Sequence, residues 1–439
     1  MISNNYKRII KLAFPIILAN ASVPLLGLAD TAAIGQTGTA ADLGAIALAS
    51  LVFSFVYWGF GFLRMGTTGF IAQAAGAKKT DEMHAMLFRA VLLGLVIGIG
   101  LILLQTWIGK TALFLMSASH EVKAAVEDYF YIRIWGAPAT LITFSLLGTF
   151  IGMGWTRYLL WTQLFLNGLN IALNVTFVVG FGLGVKGIAL GTIVAEWLTL
   201  FLASYLLLKK MGLDKPMIRV QQLQSRIFNR GKLIALLRVN TDIMIRTLAL
   251  ISGFAWFANQ GAKFGDPILA ANHVLLQFVS LSAFFLDGYA HVAEMTTGQA
   301  YGAKNKTIFI REVRHSSTLA GFTALGLAIA VYALGNVLIP LLTKDAQVQA
   351  IASEHCIYAA LYILVSFAAF QLDGIFIGVT KSREMRNATI IALVVFIGSE
   401  SILSSSYQNA GLWMAFIVYV VVRAISLGAY YPRILRGME

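Results

Sequence analysis

Apolar residues come in long runs along this chain, and short polar stretches separate the runs. Each run has about twenty residues or more, enough for an α-helix to cross a hydrocarbon core about 30 Å thick. Because that core offers no water to the backbone, such runs are predicted to be helices. The pattern predicts twelve spans, at residues 10–35, 40–63, 85–108, 123–150, 157–182, 186–208, 233–258, 267–293, 314–341, 348–378, 387–406 and 410–432.

Composition supports this prediction. Of the 439 residues, 58% are hydrophobic and only 12% are charged, whereas soluble domains carry about 25% charged residues. The chain is therefore predicted to be an all-α polytopic membrane protein. Its single cysteine, Cys356, excludes an intrachain disulfide and a C-x-x-C metal site.

The formal net charge of +13 is unevenly distributed. Lysine and arginine gather in alternate loops, above all in 209–232 and 304–314. Cytoplasmic loops of membrane proteins carry such an excess, so both termini are predicted to be cytoplasmic, in agreement with an even number of spans. The basic surplus thus indicates topology, and we expect no nucleic-acid partner.

The first span also begins like a secretory signal peptide. Basic residues precede its apolar run, and Ala19-Asn20-Ala21 has the form of a cleavage site. The apolar character continues to Gly35, however, and the duplication described next needs this helix. We therefore interpret residues 10–35 as the first membrane span.

Two segments recur at one spacing. "QAAGAK" from Gln73 returns as "QAYGAK" from Gln299, and "GTFIGMGWTR" from Gly148 returns as "GIFIGVTKSR" from Gly374. The distance from Gln73 to Gln299 equals that from Gly148 to Gly374, and we call it the repeat offset. Two matches at one offset indicate duplication of a six-helix unit. Six is even, so both copies enter the membrane in the same sense, and a pseudo-two-fold axis along the membrane normal should relate them.

The duplication predicts the domain organisation. Residues 1–210 form an N-lobe of helices 1–6, residues 211–232 a cytoplasmic linker, and residues 233–439 a C-lobe of helices 7–12. Transporters built from such repeats bind their substrate between the halves.

The first span contains one carboxylate, Asp30. An acid near the centre of a membrane helix costs roughly 2.5–3.5 kcal/mol on insertion scales, so it is a functional hypothesis by default. Counted from the outer ends of the spans at about 1.5 Å per residue, four hydrogen-bonding residues fall with it in one band of the outer leaflet: Tyr131, Asn170, Asn174 and Thr192. Such a carboxylate could hold a cation or take up a proton. Alternatively, Asp30 only satisfies a helix end near the interface.

Four further acids are secondary candidates. Glu196 shares a helical face with Thr192. In the second half, the acids lie toward the predicted cytoplasmic ends of their spans: Asp287, Glu294 and Asp373.

The duplication places Trp256 near the counterpart of Asp30, so the acid is not repeated there. Asp373 lies eight residues before Lys381 and is expected to pair with loop cations. Buried ion pairs whose partners the sequence does not identify are expected for Arg133, Arg246, Arg423 and Glu400.

Enzyme motifs are incomplete or absent in this sequence. Gly109-Lys110-Thr111 imitates the end of a P-loop, but Leu104 occupies the position of its first glycine. The sequence contains no H-E-x-x-H and no G-x-S-x-G. We therefore expect a protein that is neither an enzyme nor an ATP-driven pump and has no cofactor or metal.

The blocks "LAFPIILANASVPLLGLADTAAIG", "FLRMGTTGFIAQAAGAK", "LDGYAHVAEMTTGQAYGAK" and "LDGIFIGVTKSREMRN" resemble the multidrug and toxic compound extrusion (MATE) transporters, specifically their DinF-like branch. The resemblance covers the whole chain. It implies twelve helices in two lobes, antiport of lipophilic or cationic drugs against protons or sodium, a bacterial inner-membrane location and a monomer.

The resemblance also implies roles for individual residues. Asp30 falls on the family's helix 1 acid and Pro15 on the helix 1 bend. The family's other site positions fall on Asn170 and Asn174 in helix 5, Thr192 in helix 6 and a helix 4 tyrosine, Tyr131.

One departure concerns the coupling ion. Many relatives end the "NxxLD" pattern of helix 5 in aspartate, whereas this chain reads "NIALN" and ends in Asn174. Because bare Na⁺ prefers more anionic oxygen than one carboxylate supplies, the sequence favours protons. Protonation of Asp30 from outside would then bend helix 1 near Pro15 and expel the drug. The alternatives are sodium-coupled antiport, a flippase for a lipid-linked precursor, and an intramembrane enzyme or scaffold.

Overall fold

A computed structural model describes residues 4–116 and 118–439, and these residues form helices and turns with no strand. The helices of the first half are α1 (Asn4–Ala21), α2 (Val23–Thr37), α3 (Ala40–Gly59), α4 (Phe62–Gly76), α5 (Thr80–Leu103), α6 (Gln105–Leu115), α7 (His120–Arg133), α8 (Ala137–Gly152), α9 (Thr156–Val175) and α10 (Gly184–Met211). The remaining helices are α11 (Pro216–Gln222), α12 (Gln224–Ile227), α13 (Arg230–Ala262), α14 (Asp266–Gly302), α15 (Lys306–Leu342), α16 (Ala346–Gly378), α17 (Ser382–Gly428) and α18 (Tyr431–Arg436).

Within the described ranges, ten helical segments are long and apolar enough to cross a membrane. The last of them, Ser382–Arg436, has 55 residues and is interrupted at Gln408, where φ is 50°, so it holds the last two predicted spans. The helix α13, with 33 residues, occupies the predicted seventh span. Each predicted span therefore lies on one helix or on two consecutive helices, and the all-α, twelve-span prediction is confirmed for the described chain.

Polar side chains begin several of these helices. At α3, Thr39 accepts from the backbone N–H of Asp42 while the Asp42 carboxylate accepts from the N–H of Thr39. Asn305 and Asp345 accept from backbone N–H groups in the first turns of α15 and α16. Such caps satisfy amide groups that have no partner inside the helix.

The helix ends repeat at the same offset as the sequence motifs. α4 ends at Gly76 and α14 at Gly302, while α9 begins at Thr156 and α17 at Ser382. Both pairs are separated by the repeat offset. The duplication inferred from sequence is thus present in the secondary structure.

Residues with left-handed backbone conformation repeat as well. Their φ angles are 56° and 54° at Lys78 and Lys304, 75° and 55° at Gly154 and Thr380, and 67° and 50° at Gly182 and Gln408. Residues other than glycine seldom adopt positive φ, so three such coincidences at the repeat offset indicate that the two copies share a backbone path.

Packing explains why the first motif occurs in both copies. A Cβ added to Gly76 would lie 1.9 Å from the carbonyl oxygen of Gln299, and one added to Gly302 would lie 2.1 Å from that of Gln73. The ends of α4 and α14 therefore approach through reciprocal, equivalent contacts. Only glycine leaves room for backbones this close.

The chain divides into two compact units. One contains the chain up to Ile17, Ala72–Lys78 and Leu237–Glu439, and the other contains Leu18–Ile71 and Lys79–Leu236. The core of the first unit is rich in aromatic side chains, including Phe257, Phe396, Trp413, Phe416 and Tyr419. The core of the second contains Ile34, Phe53, Tyr129, Phe130 and Ile188. The sequence-based lobes 1–210 and 233–439 stay a prediction.

The predicted linker, residues 211–232, contains α11 and α12, and both contact α5. Arg219 of α11 pairs with Asp81 at 2.6 Å. Arg89 of α5 donates to the carbonyl oxygens of Arg226 and Ile227, at 2.6 and 3.1 Å.

Candidate functional site

The first span is interrupted between α1 and α2, at Ser22. The Ser22 hydroxyl donates to the carbonyl oxygen of Ala19 at 2.6 Å, and Pro24 in the first turn of α2 has no N–H to donate to the carbonyl of Asn20. Pro15 lies inside the uninterrupted α1. A bend at Pro15 thus stays a prediction, while the interruption in this structure lies at Ser22.

Asp30 lies half-buried on α2, and its carboxylate meets the end of α9. Nδ2 of Asn174 donates to Oδ1 of Asp30 at 2.7 Å. Oδ1 of Asn174 is itself buried and has no hydrogen-bond partner among the described residues. It faces Gly191 of α10, where an added Cβ would lie 2.1 Å away. The amide is therefore satisfied on its donor side only.

Asn170 lies one turn earlier on α9 and is almost fully buried. The hydroxyl of Thr192, on α10, lies 3.3 Å from Oδ1 of Asn170 and 2.8 Å from the carbonyl oxygen of Ile188. A hydroxyl has one proton to donate, so Thr192 satisfies one acceptor at a time. Four of the five predicted coupling residues are thus placed on α2, α9 and the facing part of α10.

A third amide on α9 was missed by the sequence analysis. Nδ2 of Asn167 donates to the Ser22 hydroxyl at 2.7 Å, and Gln163 donates to Oδ1 of Asn167 at 3.3 Å. Asn167, Asn170 and Asn174 follow one another at spacings of three and four, which puts them on one helical face. The signal was present in "NGLNIALN", but only its last two asparagines were assigned.

Tyr131 is not joined to this group by the contacts of the described residues. Its hydroxyl lies against α6, where a Cβ added to Gly109 would be 3.3 Å away, and its ring meets Phe130 edge-on at 5.5 Å. Its proposed role in coupling stays a prediction from the resemblance.

Glu196 forms a buried ion pair with Arg133 of α7. Two nitrogen–oxygen distances, 2.6 and 2.7 Å, join the guanidinium to both carboxylate oxygens. The same guanidinium lies over the rings of Phe53 and Tyr57, 5.2 and 5.4 Å from their centroids. The expectation that Arg133 belongs to a buried ion pair is confirmed, and its partner is Glu196.

The acids of the second half occupy two helices. Asp287 and Glu294 lie two turns apart on α14. Asp373 is buried on α16 and pairs with Arg246 of α13, while Arg423 of α17 lies 3.8 Å away. The expected pairing of Asp373 with loop cations was wrong, because both partners are buried arginines inside helices.

Glu400 departs from its expected ion pair. Among the described residues it has no cation within ion-pair distance, and its partner is the indole N–H of Trp256, with Nε1 3.4 Å from Oε2. The sequence did not identify Trp256 as the partner of Glu400.

The profile of the MatE family matches residues 15–176 and 245–400. The chain belongs to this family. The DNA damage-inducible protein F of Escherichia coli (strain K12) is 34% identical over 436 residues, which cover 98% of this chain and 93% of that protein. The resemblance to MATE transporters is therefore confirmed.

More distant MATE relatives match the chain at full length. A probable multidrug resistance protein NorM of Halalkalibacterium halodurans is 24% identical over 439 residues, covering 97% of this chain and 93% of that one. A crystal structure of a MATE transporter in the bent conformation has a TM-score of 0.88 and 20% identity, with 99% of this chain and 96% of that chain covered. The structural likeness shows that the chain has the MATE fold.

Proposed function

We propose that this MATE transporter is a proton-coupled multidrug antiporter, in which Asp30 carries the proton. It exports lipophilic or cationic small molecules across a bacterial inner membrane, with both termini in the cytoplasm and the monomer as the working unit. The single observation that supports this proposal most is the contact between Asp30 and Asn174.

The contact between Asp30 and Asn174 can be rearranged when Asp30 takes up a proton. Asp30 already accepts a bond from Nδ2 of Asn174, while Oδ1 of Asn174 is a buried acceptor without a donor among the described residues. A buried acceptor without a partner costs about 1–3 kcal/mol. Protonated Asp30 gains an O–H that can donate to Oδ1 after a small rotation of either side chain. Protonation thus offers the pair a second arrangement.

The donor set favours a proton over sodium. Apart from the Asp30 carboxylate, the oxygens of the group belong to neutral amides and a hydroxyl, on Asn170, Asn174 and Thr192. One carboxylate is enough for a proton. Bare Na⁺ has to exchange its hydration shell for more anionic oxygen than this group supplies, so protons are the proposed coupling ion and no cofactor is required.

Hydrogen bonds from α9 connect the Asp30 site with the interruption of the first span at Ser22. The amide face of α9 contacts the span twice, through Asn174 at Asp30 and through Asn167 at Ser22. A rearrangement that shifts α2 against α9 therefore acts on both contacts. We infer that helix 1 bends at Ser22 when Asp30 is protonated. The relative solved in a bent conformation supports bending within this fold.

The proposed substrates follow from the relatives. One of them is named a probable multidrug resistance protein, which supports small-molecule drugs as the substrates. Large exposed apolar side chains such as Leu28, Phe201 and Phe322 suit contact with membrane lipid. Nothing in this proposal involves nucleic acid.

The proposal is tested by drug-driven proton flux in proteoliposomes. The purified chain is reconstituted, ethidium is the probe, and wild type is compared with Asp30→Asn across a pH series without sodium and with sodium at fixed pH. Asp128→Asn, which changes an exposed acid in the same way, is the control. We expect sodium-independent exchange in wild type and control and its loss in Asp30→Asn, with ethidium still bound. Flux that requires sodium, or normal exchange by Asp30→Asn, would contradict the proposal.

A further inference from the structure

Glu400 is the counterpart of Asn174 in the duplicated half. The repeat offset separates the two positions, and the left-handed pairs Gly154/Thr380 and Gly182/Gln408 bracket them at the same offset. The alignment between these pairs is therefore fixed by backbone conformation. Glu400 lies on α17, with 6% of its surface exposed.

The partner of Glu400 is the counterpart of Asp30. Trp256 follows Asp30 at the repeat offset, and it donates to Glu400 as Asn174 donates to Asp30. Both hydrogen bonds join residues separated by 144 positions. The two halves thus hold equivalent acid–donor pairs. In the first half the acid lies on α2 and the donor on α9, whereas in the second half the donor lies on α13 and the acid on α17.

The carboxylate of Glu400 lies apart from the other buried charges of its unit. Asp373 of α16 pairs with Arg246 of α13, and Arg423, further along α17, lies 3.8 Å from the same carboxylate. Arg246 precedes Trp256 by ten residues, which is about 15 Å along α13. One turn before Glu400, Phe396 packs against the ring of Tyr419, with the ring centroids 5.3 Å apart.

A hydroxyl without a partner follows Glu400 on the same face of α17. Ser404 lies one turn further on, and its Oγ is buried with no hydrogen bond among the described residues. Neighbouring serines differ, because Ser401 and Ser405 donate to backbone carbonyls of the preceding turn. Ser404 is therefore available to a second arrangement of the Glu400 side chain.

Holding the Trp256 indole does not require an acid. Glutamine would accept the same hydrogen bond, whereas an acid in a membrane helix costs roughly 2.5–3.5 kcal/mol. Glu400 has no cationic partner in the described chain, and it lies at a position equivalent to the proposed coupling pair. Unlike glutamine, it can bind and release a proton.

We propose that Glu400 is a second proton-binding site, so that each transport cycle moves two protons, one on Asp30 and one on Glu400. This inference rests on the proposed function, since it requires proton-coupled exchange. A proton from the outer solution binds a carboxylate oxygen of Glu400 and leaves toward the cytoplasm, so no other reactant is needed. Trp256 positions the carboxylate.

The test measures proton stoichiometry from the reversal point of exchange. Proteoliposomes are held at zero membrane potential with a tenfold proton gradient, and the ethidium gradient at which net flux stops is determined. Because the balanced drug ratio equals the proton ratio raised to the number of protons, two protons give about a hundredfold gradient and one proton about tenfold.

Three variants accompany the wild type. Glu400→Gln keeps an acceptor for Trp256 and removes the titratable group. The double variant Glu400→Met with Trp256→Phe removes both partners, which avoids an unsatisfied donor if the single variant does not fold. Glu354→Gln, an exposed glutamate of α16, is the matched control.

We expect reversal at about a hundredfold gradient in wild type and Glu354→Gln and at about tenfold in both Glu400 variants. Reversal at about tenfold in wild type, or at about a hundredfold in the Glu400 variants, overturns the inference. Either result leaves the proposed function intact if Asp30→Asn abolishes exchange. Absence of proton-coupled exchange in wild type would instead overturn the proposed function itself.

Discussion

Asn174 donates a hydrogen bond from Nδ2 to Oδ1 of Asp30 over 2.7 Å, while its own buried Oδ1 accepts none from the described residues. The Asn174 amide thus has a partner for its N–H but none for its oxygen, and because that oxygen is buried, the missing donor costs free energy.

Replacing Asn174 by aspartate should introduce sodium dependence. Asn174→Asp puts two carboxylates at one site, and carboxylate oxygens are the ligands that hard cations prefer. We expect the sodium concentration needed to drive ethidium efflux to be at least about tenfold lower for Asn174→Asp than for wild type. The measurement is sodium-driven efflux from proteoliposomes without a pH gradient.

Asn336→Asp makes the same change at an exposed position of α15 and provides the control for this substitution. It should leave the sodium response of wild type unchanged. An equal sodium response in both variants would show that the Asp30 site does not select the coupling ion.

Substitution of Gly191 should uncouple transport without unfolding the protein. A Cβ at Gly191 would lie 2.1 Å from Oδ1 of Asn174, so Gly191→Ala displaces that amide from Asp30. Loss of a bond to a charged group costs roughly 1.5–3 kcal/mol, and we expect coupled flux to fall at least about tenfold. Gly168→Ala, on α9 with open space around the new Cβ, should keep wild-type flux. Equal flux in both variants would disprove the role assigned to Asn174.

Removal of the Ser22 hydroxyl should destabilise the protein. Ser22→Ala leaves the buried Nδ2 of Asn167 without its acceptor at 2.7 Å, which costs about 1–3 kcal/mol of unfolding free energy. Adding Asn167→Ala removes the orphaned donor and should restore part of that loss. Thermal unfolding in detergent measures both effects, and additive losses in the double variant would contradict the proposed contact.

The Arg133–Glu196 pair should be needed for stability as a pair. Glu196→Gln leaves the buried guanidinium without a counter-charge, and such a loss costs about 3–5 kcal/mol. Arg133→Met combined with Glu196→Met should recover much of it. Asp128→Asn breaks an exposed pair with Lys186 and should cost at most about 1 kcal/mol. A Glu196→Gln protein as stable as Asp128→Asn would refute this account, with chemical denaturation as the measurement.

Much of the fold was predictable because it depends on period and repetition. The length of the apolar runs predicted the membrane spans. Two repeated motifs predicted the repeat offset, and the helix ends and the residues with positive φ follow the same offset. The depth of residues along a helix was predictable too, since rise per residue is constant. The estimated depth is what grouped four residues in the sequence: Asp30, Asn170, Asn174 and Thr192.

The direction that each helix faces was not predictable in the same way. Rotation about the helix axis decides contacts, which is why the partners of Arg133 and Asp373 had to come from the structure. The pairing of Trp256 with Glu400 was hidden for another reason. The second half carries no acid at the position of Asp30, because its acid, Glu400, lies at the position of Asn174.

The most direct test of the central claim measures protons released on drug binding. Purified wild type and Asp30→Asn are placed in weakly buffered detergent with a pH indicator, and ethidium is added at saturating concentration. If Asp30 exchanges its proton for drug, wild type releases protons and Asp30→Asn releases fewer while binding the same amount of ethidium. Equal proton release from both proteins would contradict the account.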